Sequence, residues 1–262
     1  MEQISRKNRE RVLIETIEQR GKLDTHEAAA LLDVSECTVR RIFGNIEADG
    51  KAIRYHGGIR TLNNGRQDYH FKNSQLLQEN EKRLIGEYAS KLVENGDVIF
   101  LDAGTTIQQM AIALANRLRN KELSEISVFT NSLRNLTILN EYCEVTLIGG
   151  LFRKRRQDFC GHLSEIVLES ISFGKCFLGA DGVSLDPKDG IMATDTYTAR
   201  INEIISSRAN RFYLLTDSTK FRRRSFIRYA LVEEAKAVIT DKNISDRLYQ
   251  ELTALGIEVV RL

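Results

Sequence analysis

The stretch that most restricts the fold is Leu32-Asp-Val-Ser-Glu-Cys-Thr-Val-Arg-Arg41, followed downstream by Tyr55-His-Gly-Gly-Ile59. A serine ahead of a helical run accepts hydrogen bonds from the free N–H groups of the first turn, so Ser35 marks a helix start. Beyond it Val39, Phe43 and Ile46 recur at i, i+4 and i+7. That spacing predicts one buried stripe, with Ile42 at its edge, on a helix running to about Asp49. Upstream, Asp24 or Thr25 caps a helix over 26–32, in which Ala28, Ala29, Leu31 and Leu32 permit close packing, and Asp33-Val34 turns the chain. Residues 4–20, with Val12, Leu13, Ile14 and Ile17 set among charges, predict an earlier amphipathic helix ending before Gly21. Segments 51–55 and 59–62 are short enough to be two strands joined around His56-Gly57-Gly58. Three helices and a hairpin in this order make a winged helix-turn-helix, whose recognition helix enters the major groove of duplex DNA.

The charge distribution agrees. Residues 1–66 hold 12 Lys/Arg against 10 Asp/Glu, and the remainder holds 26 of each. Within 37–66 there are six basic and two acidic residues, so the excess lies in the expected recognition helix and wing, where phosphates would meet it. The expected DNA-contacting residues are Ser35 and Cys37 in the first turn, Thr38, Arg40 and Arg41 on the outward face, and Arg54 and His56 in the wing. Two adjacent arginines on a helix are, taken alone, more often a solvated face. Cap, turn, stripe and His-Gly-Gly wing in sequence weaken that alternative.

A chain of 262 residues has room for such a reading head and one larger domain. No apolar run approaches the ~20 residues of a membrane span, and Met1-Glu-Gln-Ile-Ser-Arg-Lys7 lacks a secretory core, so a cytoplasmic protein is expected. Four dispersed cysteines, without a Cys-x-x-Cys, and four histidines argue against a metal site or a disulfide framework. The domains expected are a head over 1–62, a linker over 63–78 centred on Asn63-Asn-Gly-Arg-Gln-Asp68, and an α/β domain over 79–262 that opens with a helix at 79–93. There, short apolar runs at 98–101, 126–129, 145–148, 176–178, 212–215, 237–239 and 257–260 alternate with helical segments such as 107–118, 133–140 and 197–209. Such alternation predicts a mostly parallel sheet covered on both faces, with ligands bound outside the carboxyl ends of the strands.

The residues after those strands are small and polar. Asp102, Gly104, Thr105 and Thr106 follow the first and open a helix, a natural phosphate seat. Thr130-Asn-Ser132 follows the second, Gly149-Gly150 the third with Arg153-Lys-Arg-Arg156 just beyond, and Gly179-Ala-Asp181-Gly182 the fourth. A later strand ends in Thr216-Asp-Ser-Thr-Lys220-Phe221, placing Asp217 and Lys220 at the mouth. Lys220 supplies a positive charge for an anionic ligand. Each feature has a plainer reading: Gly-Thr-Thr as loop and cap, 153–156 as a solvated face, Lys220 as a partner of Asp217.

The whole chain resembles the DeoR family of bacterial repressors of sugar metabolism. The likeness rests on Ser-x-x-Thr-Val-Arg-Arg, Ile46-Glu-Ala-Asp-Gly50, Arg-x-His-Gly-Gly and the five strand endings above. It departs at Ile42-Phe43, where an acidic residue and leucine usually follow the paired arginines. The resemblance implies a winged helix-turn-helix followed by a Rossmann-like effector domain akin to sugar-phosphate isomerases and coenzyme A transferases. By resemblance that domain binds a phosphorylated sugar or polyol at Asp102, Gly104, Thr105, Thr106, Thr130, Asn131, Ser132, Gly149, Gly150, Arg153, Asp181, Asp217 and Lys220. It also implies a homodimer or homotetramer on double-stranded operator DNA, with no cofactor. Two other classes are open: an isomerase with Asp102 or Asp181 as base, and an architectural DNA-binding protein without a ligand. The isomerase's acidic Asp-Gly-Ala-Asp-Glu run is absent, and the polar strand ends speak against a purely architectural role.

Overall fold

The computed structural model describes residues 6–20, 22–49, 51–55, 57–61 and 71–262, so His56 and the linker centre 63–68 lie outside the described residues. The chain divides into two units, Met1–Asp68 and Tyr69–Leu262.

The first unit runs α1 (Arg6–Arg20), β1 (Lys22–Asp24), α2 (Thr25–Leu32), α3 (Glu36–Ala48), β2 (Ala52–Tyr55) and β3 (Gly58–Thr61). Asp24 caps α2 through the N–H groups of His26 and Glu27, and Ser35 caps α3 through that of Thr38. Between them Asp33 takes the left-handed conformation, φ 50°, that ends α2 and turns the chain. Val39, Phe43 and Ile46 are buried as the stripe requires, but Ile42 is buried with them rather than at an edge. Leu31 is 48% exposed, contrary to expectation, because the inward positions of α2 are Thr25, Ala28 and Leu32. Strand β1 was too short to be read by period. It makes the wing three-stranded, in the order β1-β3-β2, and contributes buried Leu23 to the core. Gly58 sits where β1 and β3 meet most closely: a Cβ there would lie 2.5 Å from the Leu23 carbonyl oxygen.

The second unit begins with α4 (Phe71–Leu76), α5 (Glu79–Ser90), β4 (Val98–Leu101), α6 (Thr105–Arg119), β5 (Ser127–Thr130), α7 (Leu133–Leu139) and β6 (Glu144–Leu147). A hairpin of β7 (Leu151–Arg153) and β8 (Asp158–Cys160) leads to α8 (His162–Glu169) and β9 (Phe173–Leu178). Then come β10 (Gly182–Val183), β11 (Ile191–Ala193), α9 (Thr196–Arg208), β12 (Ala209–Leu215), β13 (Ile227–Ala230), β14 (Ala237–Thr240), α10 (Asp246–Ala254) and β15 (Glu258–Arg261). All seven apolar runs named from the sequence become strands of one sheet, ordered β15-β14-β12-β9-β4-β5-β6, with every neighbouring pair parallel. Their continuous apolarity follows from burial on both faces. Ile99, Leu101, Phe177, Tyr213 and Leu215 pack with residues of α5 and α6. Phe100, Cys176, Leu178, Phe212 and Leu214 pack with residues of α9 and α10. The smaller sheet β10-β11-β13 and the hairpin had no such signature, each strand being two to four residues long.

The chain winds outward from β4 to β5 and β6, then returns to β9 on the other side of β4 and continues to β12, β14 and β15. The crevice outside the carboxyl ends of β4 and β9 is therefore the switch point at which such sheets bind ligands. Helix α5 reaches that region only because it lies close against α6. A Cβ on Gly86 would stand 2.5 Å from the Met110 amide nitrogen and 2.6 Å from the Gln109 carbonyl carbon. Backbone cannot yield as a side-chain tip can. Gly86→Ala is expected to lower stability by about 1–3 kcal/mol, the usual cost of overpacking. Urea denaturation measures this, and an unchanged midpoint would mean that α5 is free to slide on α6.

Candidate functional site

A cavity of about 110 Å³ opens at the carboxyl ends of β4, β9 and β12. Asp102, Gly104, Thr105, Thr106, Asp181, Asp217 and Lys220, all named from the sequence, line it together. Asp102 is buried, and its carboxylate accepts the Ala103 N–H at 2.6 Å, the Gly179 N–H at 3.1 Å and Asn202 Nδ2 at 3.4 Å. Burial raises its pKa, against the two N–H donors that lower it. Gly104 precedes the 15-residue helix α6 in extended conformation and offers no side-chain cap to its first-turn N–H groups. Such an end attracts anions. The Thr216 hydroxyl, also in the lining, is buried without a hydrogen-bond partner among the described residues.

Two lysines reach the same cavity. Lys82 of α5 is 4% exposed and donates from Nζ to the Ser74 carbonyl at 2.6 Å. Burial lowers its pKa to about 8; nearby Asp217 opposes the shift and Lys220 adds to it. Lys220 makes no salt bridge among the described residues: the Asp217 carboxylate instead accepts the Thr219 N–H at 3.1 Å and the Thr219 hydroxyl. The plainer reading of Lys220, a fold contact with Asp217, is thus not what the side chains do.

The 153–156 run is not a solvated face at either end. Arg153 grips Asp158 through Nε at 2.8 Å and Nη2 at 2.5 Å, and Asp195 through Nη1 at 2.6 Å. Arg156, in the cavity wall, lies 3.7 Å from Asp158, 3.8 Å from Asp181 and 3.3 Å from Asp195. Asp181 also accepts the N–H and hydroxyl of Thr194, at 2.9 and 3.0 Å. Burial pushes the Asp158 pKa up, against the arginines that pull it down. At Asp195, less enclosed, the arginines outweigh burial and hold it below its ordinary value.

The other strand-end residues are absent from the cavity lining and tie the sheet end together. Thr130 donates to the Leu101 carbonyl at 2.6 Å and accepts from Ser132 N–H and Asn135 Nδ2. Asn131 donates to the Phe159 carbonyl, and Ser132 caps α7. Gly149 offers its carbonyl to the Ser164 hydroxyl, while Gly150 passes so close to Cys160 that a Cβ would meet its carbonyl at 2.6 Å. Arg153 holds the acids rather than the cavity wall.

On the head, Cys37, Arg40, Arg41 and Arg54 are exposed. Ser35 spends its hydroxyl on the cap, 3.1 Å from that of Thr38. Arg40 pairs with Glu36 at 3.2 Å along the helix, an exposed contact of small energy, while Arg41 has no ion-pair partner among the described residues.

A family model described as the DeoR-like helix-turn-helix domain matches residues 9–64, and one described as the DeoR C terminal sensor domain matches residues 77–242. The chain belongs to the DeoR family. It is 34% identical over 239 residues to the lactose phosphotransferase system repressor of Streptococcus mutans, across 88% of this chain and 90% of that one. It is 30% identical over 253 residues to the HTH-type transcriptional regulator GlpR of Haloferax volcanii, across 96% of each. Among solved structures, ribose 5-phosphate isomerase A of Methanocaldococcus jannaschii is 23% identical over 55% of this chain and 54% of that chain, with a TM-score of 0.41. This DeoR-family member is a DNA-binding transcriptional regulator.

Sequence reasoning missed Lys82, Asp158, Thr198 and Asn202 in the cavity wall of this sensor domain, and from the run 153–156 it picked Arg153 where Arg156 lines the cavity. They come from helices and a hairpin outside the strand ends. One signal was present: Lys82 stands at the head of the stripe 82, 85, 86, 89 that α5 buries, a position where a charge needs a reason. Removing one member of a buried pair strands the other, at about 3–5 kcal/mol. Arg153→Met is expected to destabilise the domain toward the lower end of that range, since Arg156 remains near Asp158. Arg153→Met with Asp158→Leu should recover part of the loss. Urea midpoints of parent, single and double variants decide, and a single variant as stable as the parent would reduce the pair to a surface contact.

Proposed function

We propose that the chain represses a sugar or polyol utilisation operon, binding its operator as a homo-oligomer and responding to a phosphorylated sugar or polyol in the sensor cavity. The observation that carries this reading is the meeting of Lys82, Lys220 and the uncapped start of α6 in one small cavity. Two ammonium groups and a ring of N–H and threonine hydroxyls form a dianion seat. Asp102, Asp181 and Asp217, with Thr198 and Thr216, address the hydroxyls of the remainder. Asp102 already accepts three hydrogen bonds, which suits a fixed acceptor better than a general base. The S. mutans relative is named as a repressor of a lactose phosphotransferase system, and phosphorylated sugars are the chemistry that such a cavity recognises.

The signal has a short route to the linker. Ser74, Leu77 and Gln78, in the segment that follows the linker centre, line the same cavity. Ser74 is the hydrogen-bond acceptor of Lys82. A phosphate that attracts the Lys82 ammonium competes with the Ser74 carbonyl, and so acts on the segment through which the chain returns to its head. The shift in DNA affinity is bounded by the ligand's preference for one arrangement over the other.

On the DNA side, Arg41 contacts the groove directly and Arg40 after exchanging Glu36 for DNA. Ser35, Cys37, Thr38 and Arg54 flank them. Arg41→Ala is expected to reduce operator affinity by at least about tenfold, a base contact contributing about 1–3 kcal/mol. Fluorescence anisotropy on operator and random duplexes at two salt concentrations separates base from phosphate contact. Parental affinity for both duplexes would remove Arg41 from the interface.

Lys220→Ala should leave DNA binding without ligand intact while weakening the sugar phosphate about tenfold or more, the scale of a charge-assisted hydrogen bond. Because Lys82 has a pKa near 8, ligand affinity should also fall above that pH. A phosphate monoester is already a dianion there, so the loss reports the lysine, up to about tenfold between pH 8 and 9. The sign follows from the ammonium being the binding form: affinity is full below pH 8 and lost above it. Calorimetric titration of parent, Lys220→Ala and Lys82→Met with a sugar-phosphate panel tests both. A pH-independent parent would exclude Lys82 from the site.

A further inference from the structure

Glu36 is the first residue of α3, next to the Ser35 cap, in the turn of a recognition helix that meets base edges. Its side chain is exposed and lies between the two helices of the helix-turn-helix. Arg40 Nη2, one turn on, stands 3.2 Å from Oε2, and His26 Nδ1 of α2 stands 3.5 Å from Oε1. Contacts of this kind between exposed groups have small energies, so DNA can replace them. A negative charge at this place nevertheless opposes binding. It repels the phosphates of every duplex, and a carboxylate can only accept hydrogen bonds. Most of the groove edge is acceptors too: N7 and O6 of guanine, N7 of adenine and O4 of thymine. The donors there are the amino groups of cytosine and adenine.

We propose that Glu36 is a specificity-determining residue: its carboxylate accepts a hydrogen bond from the N4 amino group of a cytosine in the major groove, and it repels duplexes that offer another base there. Cytosine fits because its groove edge carries a donor without an acceptor. Adenine sets its N6 donor beside N7, which a carboxylate opposes. Discrimination then comes from repulsion of the wrong sequence as much as from attraction to the right one. Arg40 takes part in the same exchange. When its guanidinium turns from Glu36 to DNA, the carboxylate loses its nearest cation, and a base amino group has to take that place. On a sequence without one, Arg40 stays with Glu36, so a single wrong base withholds two contacts. The proposal rests on the docking of α3 read above for Arg40 and Arg41, and goes beyond it by naming the base.

The full chain is used to select duplexes from a randomised pool. The enriched site and its single-base substitutions are then titrated by fluorescence anisotropy with the parent, Glu36→Gln and Arg41→Ala. The parent's site is expected to hold a cytosine in each half-site, whose replacement by thymine weakens binding about tenfold. In Glu36→Gln that preference should vanish or turn to adenine, whose N7 and N6 an amide meets bidentately, with preferences at the other positions kept. Random duplex should bind Glu36→Gln more tightly, on the order of twofold, the effect of removing one like charge facing phosphate in water. An acid that served only the positive end of α3 would, when replaced, weaken all sequences by one factor and leave their ratios alone. Those ratios are insensitive to the fraction of chain that folds. Parental base preferences in Glu36→Gln, with Arg41→Ala weakened, overturn this proposal and leave the docking of α3 standing. Arg41→Ala at parental affinity for both duplexes brings down the docking and this proposal with it.

Discussion

Asp102 sits where the sheet changes its winding direction, and its carboxylate joins three pieces of chain that are distant in sequence. It holds the backbone of its own strand end at Ala103, that of β9 at Gly179, and the side chain of Asn202 on α9. Its backbone carbonyl accepts Asn135 Nδ2, which also reaches Thr130 at the end of β5. A buried carboxylate is costly unless every lone pair is used. Here the donors lie at the rim of the cavity, so the interactions that close the sheet also fix the shape of the site. The cavity's floor is tied by these hydrogen bonds, while α4, α5 and the loop after β12 reach over it from outside that set.

The acidic and basic residues around that floor divide into two groups by what holds them. Arg153 and Arg156 pair with Asp158, Asp181 and Asp195 within the hairpin, β10–β11 and α9 region. They cement secondary elements too short to be stable alone. Among the described residues Lys82 and Lys220 make no salt bridge, and Lys82 has only the Ser74 carbonyl. Two like charges near one another in a partly dry space cost energy, which the anion proposed for this site would relieve. The lowered pKa of Lys82 expresses that same cost from the side of the proton.

Period and punctuation carried most of the fold in the sequence. The stripe of α3 and the caps at Asp24 and Ser35 are local signals, and the seven sheet strands stand out because burial on both faces makes them apolar throughout. What escaped was short or set by tertiary contact: β1, the hairpin and the strands β10, β11 and β13. The same division holds for the site. Strand-end position brought out Asp102, Gly104, Thr105, Thr106, Asp181, Asp217 and Lys220, which the structure gathers around one cavity. It equally brought out Thr130, Asn131, Ser132 and Gly150, because small polar residues at a strand end serve chain-tying and ligand-holding alike. Their hydrogen bonds to Leu101 and Phe159 and the close pass at Cys160 depend on partners that no local pattern specifies. Ile42 shows the converse. It departs from the family's pattern after the paired arginines, yet it fills the head's core beside Phe43, so an apolar residue there adds to the packing instead of disturbing the recognition face.

Coupling between the cavity and DNA, where it exists, is reciprocal. Whatever factor the ligand imposes on operator affinity, the operator imposes on ligand affinity, because both are differences of the same free energies. Typical coupling of 1–3 kcal/mol corresponds to about 5–150-fold. A cavity whose floor is fixed by Asp102 and whose cover includes Ser74 and Lys82 can express such a difference only through the cover. Under the proposed regulation, the state that suits DNA differs from the state that suits the anion in how the Lys82 ammonium is shared between the Ser74 carbonyl and the cavity. A single hydrogen bond of 2.6 Å from a buried ammonium is a small switch. Its energy is nonetheless of the order that such coupling requires, since hydrogen bonds to charged groups contribute about 1.5–3 kcal/mol.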